Sequence, residues 1–335
     1  VARGAVIVLE PISVEILTLV SLPTFDNNLF TLRSNDRVAL NELFENPDHP
    51  LFSRATSGTY PSGSTIKPAV AAAALNAGVI TRNTTFLSSG GLRVGQWFFP
   101  DWKPGGHGRT EVTRAIAESI NTFFYIIGGG YGDIKGLGID RLALALRKFG
   151  FGARTGIELP GEAAGLVPDP EWKDNAKQEI WYIGDTYHTA IGQGDILVTP
   201  LQIARMTSYF ASKGLWSKPH FDISPETVVE NNNSDSPGID PEHIETIRTG
   251  MRDTVRFGSA RSLGVLSATS AGKTGTAQWS STAKPHALFT GWMPYTEPEI
   301  VITVLIEAGG EGSASAVPVA KEIMDWWTKN RESRN

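Results

Sequence analysis

YPSGSTIKPAVAAAALNAG, residues 60–78, changes character halfway along. Pro61, Ser62 and Gly63 read as a turn. From Ser64 onward an alanine-rich run predicts a helix ending near Gly78, where a residue without a Cβ closes a helix easily. Ser64 and Lys67 stand three apart at the start of that helix and so share one face. A serine at a helix N-terminus gains from the dipole, which favours developing negative charge. Its hydroxyl remains a poor nucleophile until a base takes the proton, and a lysine amine is such a base only when its pKa is lowered. Burial and a second nearby cation both lower it. The stretch therefore calls for another cation beside Lys67, with the alanines as a buried helix that keeps serine and lysine rigid. The pair alone carries little. Ser-x-x-Lys recurs at Ser281–Lys284, in a turn between strands, and a lone match is more often a surface accident than a nucleophile.

On the N-terminal side of this helix, GAVIVLEPISVEILTLVS (residues 4–21) reads as a hairpin turning at about Glu10 to Val14, and residues 34–58 are polar and turn-rich. On the C-terminal side, residues 112–127 and 139–150 are helical in pattern, the latter closed by Gly150. Residues 155–173 form a Gly/Pro-rich connection. Residues 199–214 form a helix with Thr199 as N-cap and Pro200 as its first residue. Residues 222–242 are the most polar stretch and read as a surface loop. AGKTGTAQW, HALFTGWMP and EIVITVLIEA are three late β-like runs, followed by a helix with Ala320, Ile323, Met324 and Trp327 on one face. Strands at both ends and helices between them predict an α/β chain of the α+β kind. One antiparallel sheet would be built from both chain ends (about 1–30 and 265–335), with an inserted helical lobe (about 60–260) and a site in the cleft between them.

Composition narrows the function. The chain has 335 residues, 41% hydrophobic and 19% charged, with a formal net charge of -5 and no basic run, so no nucleic-acid partner is expected. It has no cysteine, which excludes disulfides, thiolate catalysis and cysteine-based zinc sites. No run of about 18 uncharged apolar residues is present to span a bilayer. The start at VARGAVIVLE, without Met or a signal-like segment, suggests a piece of a longer protein with any targeting or membrane segment upstream.

Two further short motifs follow the first. Ser119-Ile120-Asn121 lies in ESINTFFY; Ser-x-Asn recurs at Ser333–Asn335, and its plain reading is a polar turn between helical pieces. Lys273-Thr274-Gly275-Thr276 holds the only Lys-[Ser/Thr]-Gly of the chain, and its plain reading is an edge strand with a glycine bulge. Together, in this order and in these local settings, they match the motif set of serine β-lactamases and penicillin-binding proteins. The chain resembles the transpeptidase domain of class B penicillin-binding proteins, most closely the elongation-type penicillin-binding protein 2. RATSGTYPSGSTIKP, DWKPGGHGR, TGIELPGEAAGLVPDPEWK, IGQGDILVTPLQIA and PHALFTGWMPY also resemble that family's segments in order, so the likeness covers residues 1–335.

The resemblance implies a serine β-lactamase/transpeptidase-like fold and a D,D-transpeptidase that cross-links peptidoglycan stem peptides ending in D-Ala-D-Ala through a serine acyl-enzyme, and that β-lactams acylate. Ser64 would be the nucleophile and Lys67 its base. Ser119 would relay protons, Asn121 would fix Lys67 and a substrate amide, and Lys273 would supply the second cation. Thr274 and Thr276 would bind the terminal carboxylate, Gly275 would leave room for the substrate, and the backbone N–H groups of Ser64 and Thr276 would form the oxyanion hole. The family also implies no cofactor, an absent N-terminal anchor and pedestal domain, a glycan-polymerising membrane partner, and a place on the outer, periplasmic face of the bacterial cytoplasmic membrane. A D,D-carboxypeptidase, a β-lactamase-like hydrolase and a non-catalytic β-lactam-binding sensor remain alternatives: only the acceptor groove separates a carboxypeptidase from a transpeptidase, whereas a β-lactamase adds a carboxylate that activates water and is usually shorter. Trp279 and Trp292 are candidates for that groove or for the core. Glu118, beside Ser119, reads as a surface residue. Asp101 and His107 invite a metal, but no Cys or second nearby His completes a zinc set and Ile120 cannot coordinate, so no metal is expected and the stretch reads as a hydrogen-bonded loop.

Overall fold

In the computed structural model, residues 3–31, 36–221 and 236–330 are described. The first hairpin forms as its alternation predicts: β1 (Gly4–Leu9) pairs antiparallel with β2 (Ile16–Leu22), and Val14 N donates to Glu10 O at 3.0 Å to close the turn. The late runs become β7 (Ala271–Ala277), β8 (His286–Met293) and β9 (Ile300–Ile306). The sheet order is β2-β1-β9-β8-β7, antiparallel throughout, so the N-terminal hairpin joins the C-terminal strands through β1 and β9. This leaves β7, with Lys273 to Thr276, at the end of the sheet, where one side of its backbone pairs with no other strand.

The middle of the chain supplies helices α1 (Arg37–Phe44), α2 (Lys67–Asn76), α3 (Val112–Ala117), α4 (Asn121–Gly129), α5 (Gly138–Lys148), α6 (Pro170–Lys177), α7 (Ile183–Ala190), α8 (Pro200–Ala211) and α9 (Pro241–Arg256), with α10 (Gly312–Asn330) last. The alternation along the inner strands splits two cores. Ile7, Leu9, Val301 and Leu305 face the helical lobe, which meets the sheet through α8; Val8, Ile302 and Val304 face α10, against its Ala316, Val317, Ala320 and Met324. Helix α8 begins as expected, with the Thr199 and Gln202 side chains each bonded to the other's backbone N–H. Helix α2 has no polar face: every residue from Lys67 to Leu75 is buried.

Four sequence expectations need correction. Residues 37–44, inside the stretch read as turns, form α1, whose Asp36 N-cap accepts from Ala39 N. The helix read over 112–127 breaks into α3 and α4 at Glu118–Ile120. The middle of the chain also contains strands: β3 (Phe86–Ser88) pairs with β6 (Gly108–Thr110), and β4 (Gly91–Val94) with β5 (Trp97–Pro100). Glycine-rich turns hide these short pairs from any period-2 count. The polar loop read over 222–242 lies mostly outside the described residues, as does Ser333–Asn335, and its last residues begin α9.

Candidate active site

Ser64 sits in a short 3₁₀ turn, Gly63–Ile66, that runs directly into α2. Gly63 has φ +50°, a conformation that favours a residue without a Cβ, and a Cβ there would lie 2.9 Å from Thr276 O. The turn is thus pressed against the β7 edge, bringing Ser64 beside Thr276. Gln193, from the loop before α8, also reaches that carbonyl, with Nε2 donating to Thr276 O at 3.1 Å.

One helical turn on, Lys67 is wholly buried. Its Nζ lies 2.9 Å from Ser119 O, 2.7 Å from Asn121 Oδ1 and 3.3 Å from Ser119 Oγ, and 5.0 Å from the centre of the Phe124 ring. Burial brings its pKa down to about 7, against a raising influence from the Asp101 carboxylate. Among the described residues no hydrogen bond joins Lys67 Nζ to Ser64 Oγ in this resting arrangement, and catalytic contacts commonly tighten only with substrate bound.

The turn between α3 and α4 presents Ser119 and Asn121 because Ser119 adopts φ +58°, which costs a residue with a Cβ on the order of 1 kcal/mol. Asp101 holds this conformation. Its carboxylate accepts from Asn121 N (3.2 Å), Thr122 N (3.0 Å), Thr122 Oγ1 (2.7 Å), Ser88 Oγ (3.1 Å) and Trp102 N (2.9 Å), capping α4 from a neighbouring loop. The hydrogen bonds at Thr122 and the Lys67 charge keep that carboxyl below its usual range, despite burial that opposes them.

The opposite wall is β7. Lys273 is fully buried, with Nζ donating to Thr274 O at 3.1 Å, and burial, then the Lys67 charge, lower its pKa strongly. Lys273 is therefore buried in this wall, but burial and not the Lys273 charge lowers the Lys67 pKa, and burial is likewise the first cause at Lys273. Thr274 shares a hydrogen bond with Ser259 Oγ at 2.6 Å, and Thr276 Oγ1 donates to Glu311 Oε2 at 2.9 Å. A cavity of about 760 Å³ is lined by Ser64, Ser119, Asn121, Thr274 and Thr276, together with Trp102, Glu118, Gln193, Ser259 and Glu311.

The three motifs thus meet in one cleft, but two readings change. Gly275 does not leave space on the substrate side: its Cβ would lie 2.8 Å from Thr65 Cγ2 and 3.2 Å from Ser62 O, so the missing side chain lets the turn that carries Ser64 dock on the strand. Glu118 is not a surface bystander, because the left-handed Ser119 ends the helical rule that neighbours point apart and Glu118 lines the cleft. Trp292 is core; Trp279 is exposed, stacked on His286 with ring centres 5.2 Å apart, in an adjoining groove of about 1050 Å³ that shares Ile191, Gln193 and Gln278 with the cleft. Asp101 and His107 lie 3.8 Å apart, and no group of three or more His, Cys, Asp or Glu suited to a metal occurs among the described residues. Asp101, Gln193, Ser259 and Glu311 were missed as supports. Only Asp101, among the glycines of DWKPGGHG, carried any signal in the sequence.

The family model of the penicillin-binding protein transpeptidase domain matches residues 4–325. The peptidoglycan D,D-transpeptidase MrdA of Haemophilus influenzae is 36% identical, over 98% of this chain and 53% of its own length, so the chain spans about half of the curated relatives it matches. Among solved structures, Pseudomonas aeruginosa PBP2 in complex with WCK 5153 is 36% identical, with a TM-score of 0.88 over 97% of this chain and 71% of that one. Helicobacter pylori PBP2 in complex with MreC is 33% identical, with a TM-score of 0.85 over 99% of this chain and 60% of that one. No helix among the described residues is long and apolar enough to cross a membrane. From the domain match and the extent of these likenesses, the chain belongs to the penicillin-binding protein transpeptidase family, in its PBP2/MrdA branch.

Proposed function

We propose that this chain is the cross-linking domain of a peptidoglycan D,D-transpeptidase, with Ser64 as nucleophile. One observation carries the assignment of roles: a buried lysine with a pKa of about 7, hydrogen-bonded to Ser119 and Asn121, stands one turn along from a serine that lines one cavity with Thr274 and Thr276 of the Lys273–Thr276 strand. Neutral Lys67 has two N–H donors, suited to Ser119 O and Asn121 Oδ1, and one lone pair. That lone pair takes the Ser64 proton, directly or across Ser119 Oγ, as Ser64 attacks the carbonyl of the penultimate D-Ala. The proton passes on to the leaving D-Ala amine, and the acyl-ester remains on Ser64.

Thr274, Thr276 and the positive potential of Lys273 hold the terminal carboxylate of the donor. The N–H groups of Ser64 and Thr276 receive the oxyanion, where each donor is worth roughly 2.7–4 kcal/mol of transition-state stabilisation. Asn121 orients Lys67 and the substrate amide. An amine of a second stem peptide then takes the acyl group. β-Lactams acylate the same serine, in keeping with the name of the family. We assign the whole chain to this single domain, with a sheet lobe and a helical lobe flanking the cleft. The H. pylori relative was solved with a partner protein, MreC. By analogy the full-length protein works with membrane partners, a glycan polymerase among them, on the outer face of the cytoplasmic membrane.

The test is intact mass after incubation with benzylpenicillin, followed over hours, for the parent chain and Ser64→Ala. A lasting adduct on the parent alone is the expected result. An adduct that disappears within seconds while penicillin is consumed would identify a β-lactamase-like hydrolase, and an adduct on Ser64→Ala would refute the nucleophile.

A further inference from the structure

We infer that Glu118 and Trp102 form the docking site for the acceptor, a primary ammonium group on the second peptide strand. The inference rests on the transpeptidase reading and extends it to the half-reaction that separates a transpeptidase from a hydrolase. Glu118 closes α3 just before the left-handed Ser119 and lines the same cavity as Ser64, Ser119 and Asn121. Only one of its oxygens is engaged: Oε1 accepts from Arg114 Nε at 2.6 Å. Oε2 accepts no hydrogen bond among the described residues, its neighbour being His107 Nε2 at 3.9 Å. The side chain is 22% exposed, which leaves this oxygen within reach of a ligand in the cleft.

Trp102 completes the lip. It is 60% exposed, lines the same cavity, and is fixed by Nε1 donating to Glu118 O at 3.0 Å and by an edge contact with His107. A carboxylate with one uncommitted oxygen and an exposed indole, lining one cavity, suit an ammonium group through charge and cation–π attraction. The other carboxylate lining the cavity, Glu311, is bonded to Thr276 Oγ1 on the wall that holds the donor's carboxylate.

The chemistry balances with these groups. The acceptor ammonium loses one proton to neutral Lys67 and becomes a nucleophilic amine. Its lone pair attacks the ester carbon, the bond from that carbon to Ser64 Oγ breaks, and a second proton from the nitrogen passes through Ser119 Oγ to Ser64. An amide and a free serine remain, and Lys67 returns its proton to solvent. Glu118 takes no proton; it raises the local concentration of the acceptor. A carboxylate partly neutralised by Arg114 attracts the ammonium without trapping it in its protonated form.

The experiment supplies N-benzoyl-D-alanyl-thioglycolate as donor and Nα-acetyl-lysine amide as acceptor. It measures the ratio of transfer to hydrolysis from each variant's own acyl-enzyme as acceptor concentration rises. For Glu118→Gln the half-saturating acceptor concentration should rise roughly fivefold, the scale of one partly screened charge pair. Trp102→Leu should raise it less. Arg114→Gln, which breaks the ion pair but keeps the carboxylate, should not raise it. An unchanged ratio in Glu118→Gln would overturn the inference alone. So would a matching loss in Arg114→Gln, or a fall of hydrolysis in step with transfer, which would make Glu118 a base for water. A parent chain that forms no acyl-enzyme would remove the transpeptidase reading and this inference together.

Discussion

The two walls of the cleft are built by different means. The strand wall is set by backbone: β7 is registered on β8 from Ala271 to Ala277, and glycine at positions 63 and 275 lets the nucleophile turn lie against it. The helical wall is set by side chains. Ser119 holds a left-handed conformation that its own Cβ disfavours, and Asn121 begins a helix whose cap is the carboxylate of Asp101, on a loop between short strands. A wall made of register should fail when an atom is added, whereas a wall made of hydrogen bonds should fail when one charge is removed. Lys67 joins the two, rising from the strand-side turn and bonding to the helical side.

Removing that joint gives the largest effect. In Lys67→Met, acylation by benzylpenicillin should fall by about 10²–10⁴, the usual contribution of a positioned general base. The same substitution should change the pH dependence of stability. With a folded pKa of about 7 and an ordinary value of 10.5, Lys67 binds a proton more readily in the unfolded chain between those pH values. Its burial therefore costs stability most at and below pH 7 and least above pH 10.5. The melting temperature of Lys67→Met relative to the parent should be more favourable at pH 7 than at pH 10; a constant offset would mean that the lysine is not buried in its charged-disfavouring site.

Adding one carbon to the strand wall comes next. Gly275→Ala places a methyl group against Thr65 and Ser62. It should destabilise the fold by about 1–3 kcal/mol and slow acylation roughly 10²-fold by shifting the nucleophile turn. Thermal melting decides the cause. Slower acylation at unchanged stability would put the methyl in the path of the substrate, as the sequence alone suggested.

This contrast also explains what could be read from the residues. Ser64, Lys67, Lys273 and Thr276 were singled out because three short motifs occur in order and resemble a family's set, which supplied their proposed roles; each motif alone was weak. The sheet was legible from local pattern, its inner strands being short apolar runs between turns. The supports were not. Asp101 acts on residues 121 and 122 from twenty positions away, and Gln193 acts on Thr276 across a separation of 83 residues. Glu118 was misjudged because a helical rule was extended across Ser119, where the chain had left the helix. The strands at 86–88 and 108–110 are three residues each, too short for periodicity to register.

The smallest effect tests the tie between the walls most directly. Asp101 raises the Lys67 pKa while burial lowers it, so the value of about 7 is a balance of the two. In Asp101→Asn the charge is lost, burial remains, and the acidic limb of the acylation rate against pH should move to lower pH. Its position is that of the free enzyme's base, read from the second-order rate with benzylpenicillin between about pH 5.5 and 8.5. The rate at the plateau should also fall, since an amide has one acceptor oxygen and cannot serve both the donors at Thr122 and Ser88 and those at Asn121 N and Trp102 N. A fall in plateau with no shift of the limb would make Asp101 a cap only, without electrostatic reach to the base. A shift to higher pH would mean that the group titrating in that limb is not Lys67. A downward shift together with a lower plateau is the one result in which a single carboxylate both shapes the helical wall and sets the pH at which the base begins to work.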